Sequence, residues 1–284
     1  SDVAGGGTSV PVLVATLLKN MIGSGIFSLP IGLLHATRGP GLAILAFCGM
    51  LSAGSFWMIG YCCLTWGVFS FRELWDKIFG KASGWVIDVT MFLNGWFTLV
   101  AYVVLIGDFT TKSFEGLLGP DSILATGRRT NQLAIMVLLL LPLSLAKDLS
   151  RLAFTSVLGL CILLYVYVLV IRDSVLNAPA EWGADVAPSR WGLGVFEAVA
   201  LYTQAFVAHY NGPKLFSELE RPTYLRWLLV VGVAYAVAIV AYASFAWCGL
   251  RRFEGELLGN ILRNYESNFS VLIAWLGMGF CIAF

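Results

Sequence analysis

The stretch LLKNMIGSGIFSLPIGLL, residues 17–34, decides how this chain is to be read. Its ends are apolar enough for a helix in lipid, yet a lysine, an asparagine, glycines and a proline interrupt it. Backbone in hydrocarbon must satisfy its own hydrogen bonds, so unwound chain at membrane depth is tolerated only where it is buried in protein or lines a cavity. Gly23 and Gly25 permit departure from helical geometry, and Pro30 suits the first turn of a resumed helix. The interruption predicts a broken helix beside a cavity, with regular helix lost over about 22–25. A close-packed face of small residues is the rival reading of Gly-x-Gly.

The rest of the composition puts that stretch in a membrane. The chain is 58% hydrophobic and 12% charged, where soluble domains carry charge at about a quarter of positions. It reads as an all-α integral membrane protein whose main surroundings are lipid. A net charge of +1 offers no surplus for nucleic acid or an acidic polymer. The 6 cysteines lie in apolar runs without metal-ligand spacing, and there are only 2 histidines. No metal site and no cofactor are predicted. The last residues stop inside an apolar run, so the expectation is a fragment lacking its C-terminal part.

Since a bilayer core takes roughly 20 apolar residues as a helix, the chain divides into eight candidate spans. They cover about 9–34, 41–67, 84–109, 131–146, 152–171, 192–210, 224–250 and 269–284, the last cut short. Between the second and third, SFRELWDKIFGKAS (residues 70–83) sets Phe71, Leu74, Trp75, Ile78 and Phe79 against Arg72, Glu73, Asp76 and Lys77. That pattern is an amphipathic helix at the membrane surface. Residues 177–190 read as a surface loop. Lys and Arg are nearly balanced between the two sides. The charges packed into the shorter loops set the expectation of a cytoplasmic N-terminus and amphipathic helix, with 177–190 on the other side.

A second interruption gives the first its meaning. The sixth span ends TQAFVAHYNGPKLFSELE (residues 203–220), where Asn211, Gly212 and Pro213 place a break over about 210–213. Interrupted spans at corresponding positions of two halves point to a transporter built from inverted repeats. We therefore expect one polytopic domain over 1–284, a first repeat at about 9–171, the start of a second at about 192–284, and breaks that face one another. An unwound turn offers free N–H groups on one half-helix and free carbonyls on the other. A ligand carrying a carboxylate and an ammonium, such as an amino acid, suits both. The competing phosphate loop lacks its G-x-x-x-x-G-K-[ST] pattern.

The candidate substrate contacts are Ile22, Gly23, Ser24 and Gly25 at the first break and His209, Tyr210, Asn211 and Gly212 at the second. Lys19, Asn20 and His209 are the candidates for coupling to an ion. Lys19 has an alternative as a residue snorkelling to the interface or capping the first half-helix, and His209 as a packing histidine. Asp88 and Asp108, near the two ends of the third span, read as interfacial caps. Glu197 and the group Lys214, Glu218 and Glu220 read as ion pairs and a gate.

Four stretches, LLKNMIGSGIFSLP, DVTMFLNGWFTLVAYVVLIGD, LPLSLAKDLSRLAFTS and AHYNGPKLFSELE, resemble the amino acid/auxin permeases of the amino acid–polyamine–organocation group, in family order. The resemblance implies an inverted five-plus-five helix fold with broken first and sixth helices, here ending in the eighth. It implies symport of amino acids with protons or sodium through a plasma or vacuolar/lysosomal membrane. It also implies that Gly23, Ser24 and Gly25 meet the substrate carboxylate through backbone, and that 209–212 meets its side chain. The competing function classes are a transporter-like sensor or receptor that binds without moving its ligand, and a membrane enzyme. The spans hold no cluster of His, Asp or Glu for the latter.

Overall fold

The first apolar stretch folds as two helices meeting at a bend of 50°. The computed structural model describes residues 7–141, 153–179 and 192–283. Within them the regular structure is helical apart from one isolated parallel bridge, Thr8 with Leu219. The helices are α1 (Val10–Met21), α2 (Leu29–Ala36), α3 (Arg38–Trp66), α4 (Phe71–Phe79), α5 (Trp85–Leu118) and the single turn α6 (Ile123–Thr126). They continue with α7 (Arg128–Ile135), α8 (Ala153–Asn177), α9 (Gly194–Ala205), α10 (Gly212–Ser217), α11 (Tyr224–Phe253) and α12 (Phe269–Ala283).

Among the described residues four stretches of helix are long and apolar enough to cross a membrane: α3, Lys81–Leu118, Leu158–Asn177 and Tyr224–Glu256. The bent pair of α1 and Ser24–Ala36 makes a fifth. The sixth predicted span is divided between α9 and α10, of 12 and 6 residues, each too short to cross alone. The described part of the fourth is α7 and a wider turn, Met136–Leu140. Residues 142–152, with most of the LPLSLAKDLSRLAFTS stretch, and 180–191, with most of the predicted surface loop, lie outside the described residues.

The third span differs from expectation. Helix α5 runs on to Leu118, and Asp108 sits inside it with 7% exposure. Its carboxylate is 2.8 Å from Arg128 and 3.9 Å from Arg263. A carboxylate neutralised by arginine has no need of water, so it does not mark a helix end. Asp88 lies in the first turn of α5 and pairs with Arg72, which also bonds Asp76 on α4. A helix forms over Phe71–Phe79 as read, and the Ser70 hydroxyl accepts from the Glu73 N–H at 3.1 Å and caps it. Leu74 is buried, while Ile78 and Phe79 are exposed.

The chain forms two compact units. The first takes Ser1–Asn94 and Ala184–Trp247. In it α9 packs on α2 and α3, and the Tyr202 ring closes over Gly32, where a Cβ would stand 2.9 Å from the ring. Trp227 stacks on Phe56 at 5.5 Å and meets Phe216 edge-on at 5.2 Å. Its indole N–H donates to the Trp57 carbonyl at 3.2 Å while Gly60 passes directly beneath it. Ahead of α1, the Thr8 N–H donates to the Glu218 carbonyl at 2.7 Å and the Glu220 N–H donates to Thr8 at 3.0 Å.

The second unit takes Gly95–Gly183 and Cys248–Phe284. Here α12 packs on α8, with Gly277 against Ile162. The Tyr165 hydroxyl donates to the Ser270 carbonyl at 2.9 Å, and the Trp275 indole N–H to the Leu262 carbonyl at 2.9 Å. Arg252 and Asp173 pair at 2.6 Å.

Candidate functional site

Helix α1 makes its last helical bond from the Ile22 N–H to Leu18, at 2.7 Å. Ile22 and Gly23 are extended, Ser24–Ser28 form a tight 3-10 turn, and α2 follows with Pro30 in its first turn. The rupture therefore lies within the predicted segment but is narrower, at Ile22 and Gly23, with Ser24 and Gly25 already in the turn. Neither glycine has a positive φ, so left-handed backbone is not the reason for glycine here. Space is. A Cβ at Gly23 would meet nothing within 4 Å, and one at Gly25 would meet only Ala205, at 3.7 Å from its Cα. That is ordinary contact, and the close-packed face offered as the rival reading is not what the glycines make.

The second break begins earlier than 210–213. Helix α9 ends at Ala205, residues 206–208 are non-helical, His209–Asn211 form a 3-10 turn, and α10 starts at Gly212. Asn211, Gly212 and Pro213 mark the restart of helix. Proline lacks an N–H, which costs nothing in a first turn where that group has no intrahelical partner. Gly212 is small because α3 is close: a Cβ there would stand 3.1 Å from Ile59.

The breaks adjoin. The Tyr242 hydroxyl, fully buried on α11, lies 2.6 Å from the Met21 carbonyl and 2.9 Å from the Ala205 carbonyl. These are the last residues of α1 and α9, whose carbonyls have lost the N–H groups a continuous helix would supply. The next carbonyl, of Phe206, accepts from the Tyr235 hydroxyl at 3.3 Å. Sequence reasoning missed both tyrosines, although a signal was present. Tyr235 and Tyr242 are two turns apart on one face of an otherwise apolar helix, where hydroxyls need partners that lipid does not provide.

The other candidates are placed as follows. Ile22, Gly23 and Ser24 are half-buried and Gly25 is exposed. Tyr210 is exposed, Asn211 half-buried and Gly212 buried. The His209 imidazole turns to α3, with Nε2 2.7 Å from the Ser55 hydroxyl and the Phe56 ring edge-on at 5.6 Å. Lys19 is exposed in the last turn of α1, where a cation complements the helix dipole, and Asn20 beside it is half-buried. Glu197 reaches His35 on α2 at 2.7 Å, and Glu220 reaches Arg226 at 3.8 Å. Among the described residues no group of three or more His, Cys, Asp or Glu is placed to hold a metal ion.

Comparison with known proteins fits this geometry. A family model described as "Transmembrane amino acid transporter protein" matches residues 6–283. "Putative sodium-coupled neutral amino acid transporter 11" of Danio rerio is 28% identical over 265 residues, covering 92% of this chain and 58% of its own length. "Sodium-coupled neutral amino acid transporter 7" of the same organism is 24% identical over 291 residues, covering 94% and 59%. "Amino acid transporter AVT6E" of Arabidopsis thaliana is 23% identical over 275 residues, covering 93% and 56%. The chain thus spans less than two thirds of the length of these relatives. With its broken first and sixth spans and its match along nearly all its residues, the chain belongs to the transmembrane amino acid transporter family and is a multi-pass integral membrane protein.

Proposed function

We propose that the protein is a secondary active transporter of neutral amino acids, driven by a sodium gradient and working by alternating access on an inverted five-plus-five fold. The observation that carries this reading is the membership of the two units. Spans one and six fall in the first unit with span two and span seven up to Trp247, while span three from Gly95 onward falls with span eight in the second. Pairs separated by five positions are the pairs that two inverted repeats would make equivalent. The adjoining breaks add a place where main chain is free to meet a zwitterion. In this reading the N–H groups at 23–25 receive the carboxylate, and 209–212 faces the side chain. Sodium is favoured over protons by the printed names of the relatives.

Uptake of labelled neutral amino acids into proteoliposomes, under an imposed sodium or proton gradient, tests the proposal. Accumulation with inward sodium at matched pH is the expected result. Saturable binding without accumulation would identify a sensor, and accumulation with a proton gradient alone would overturn the choice of ion. His209→Gln separates the ions further, since glutamine keeps a hydrogen-bonding group for Ser55 but cannot carry a proton at neutral pH. Sodium-driven uptake is expected to stay within about threefold of wild type, on the order of one neutral hydrogen bond. Its loss would make His209 part of the substrate site or of the coupling machinery.

A further inference from the structure

We propose that Tyr242 and Tyr235 are positioning residues, whose hydroxyls hold the unwound main chain of both broken spans in register for ligand binding. The inference rests on the transport reading above and adds the groups that keep its site in shape.

Breaking two helices inside a bilayer leaves carbonyls with no N–H and no water, at a cost that must be met by other protein groups. The structure meets it from one face of α11. Met21 and Ala205 share the Tyr242 hydroxyl, and Phe206 takes that of Tyr235. Tyr242 has one proton and two acceptors. At any instant the proton points mainly at one of them, so both carbonyls must stay within reach of the same oxygen. The ends of α1 and α9 therefore cannot separate by more than the two contacts laid end to end. The 22–25 turn begins one residue beyond one clamped carbonyl, and the 206–208 turn one residue beyond the other.

The rings have separate anchors. Phe206 lies 4.9 Å from the Tyr242 ring and 6.1 Å from the Tyr235 ring, and Phe56 lies 5.9 Å from Tyr235. Replacement by phenylalanine therefore removes a hydroxyl and leaves the ring contacts. Tyr242, with two short contacts, has the greater effect; Tyr235, with one long contact, the smaller.

The test compares wild type, Tyr242→Phe and Tyr235→Phe in two arms. In proteoliposomes, Tyr242→Phe is expected to raise the half-saturating amino acid concentration about tenfold with the maximal rate within about twofold, and Tyr235→Phe to raise it about twofold to threefold. In hydrogen–deuterium exchange without ligand, Tyr242→Phe is expected to speed exchange in peptides covering 20–28 and 203–211. A purely structural role would lower the unfolding temperature and leave half-saturation unchanged. Wild-type half-saturation in Tyr242→Phe, or faster exchange confined to α11, overturns the inference. If wild type takes up no amino acid, the transport reading fails. The exchange arm then decides alone: faster exchange at both turns keeps the tyrosines as holders of the breaks, and unchanged exchange removes them.

Discussion

Gly25→Val is expected to abolish amino acid uptake while leaving the protein inserted and folded. The backbone tolerates a side chain at this position: φ is not positive, and a Cβ would stand 3.7 Å from the Ala205 Cα, a normal contact distance. Loss of activity would therefore not follow from misfolding. The methyls would instead fill the open side of the 24–28 turn, where a carboxylate must approach to reach the main-chain N–H groups. Misplacing a ligand by about 1 Å costs on the order of a hundredfold, and that is the minimum loss expected. Ser24→Ala should stay within about threefold of wild type, because the proposed donor there is backbone. Uptake in proteoliposomes, normalised to folded protein by size-exclusion chromatography, provides the measurement. Normal transport by Gly25→Val, or equal damage from Ser24→Ala, would remove the backbone cradle.

Gly60→Ala is expected to have the largest effect on stability, and the reason is a single indole. A methyl at Gly60 would overlap Trp227 Nε1. The ring has nowhere to go: Phe56 stacks on one face, Phe216 meets it edge-on, and its N–H is held by the Trp57 carbonyl. Overpacking of a filled core costs about 1–3 kcal/mol, and the upper end applies here because a hydrogen bond is lost as well. In detergent, the unfolding midpoint should fall by roughly 5 °C. Adding Trp227→Phe, which removes Nε1 and narrows the ring, should recover part of the loss. An unchanged midpoint in Gly60→Ala would show that α3 and α11 are less tightly joined than these contacts indicate.

What could be read from sequence was whatever alters the solvent or the geometry of the main chain itself. Apolar runs located the helices, and the amphipathic pattern at 70–83 located α4, because each reflects contact with lipid or water. Gly23 and Pro30 bracketed the first break closely. Gly212 and Pro213 misplaced the second by about a turn, since proline records where a helix starts and carries no mark of where the previous one stopped. Asp108 was read as an interfacial cap because it lies at the end of the third apolar run. Its arginine partners are distant in sequence, and pairing was invisible until the fold brought them together. The same holds for Tyr242, whose two acceptors are carbonyls and carry no residue identity at all.

The Thr8–Leu219 bridge sets a phase. Helix α1 begins immediately after a backbone pairing that fixes Thr8 in both direction and height, and it ends at a carbonyl clamped by Tyr242. A helix pinned at its two ends has no freedom to rotate about its own axis. One residue inserted between Thr8 and Val10 would turn α1 by about 100° if both pins held. The buried row of Leu13, Leu17 and Met21 would then swing off the core. Nor can the bridge absorb the insertion by sliding, for Gly7 stands where a side chain would strike the Glu220 backbone at 2.5 Å. Two hydrogen bonds at the start of the chain thus index the angle at which the first half-helix presents its broken end.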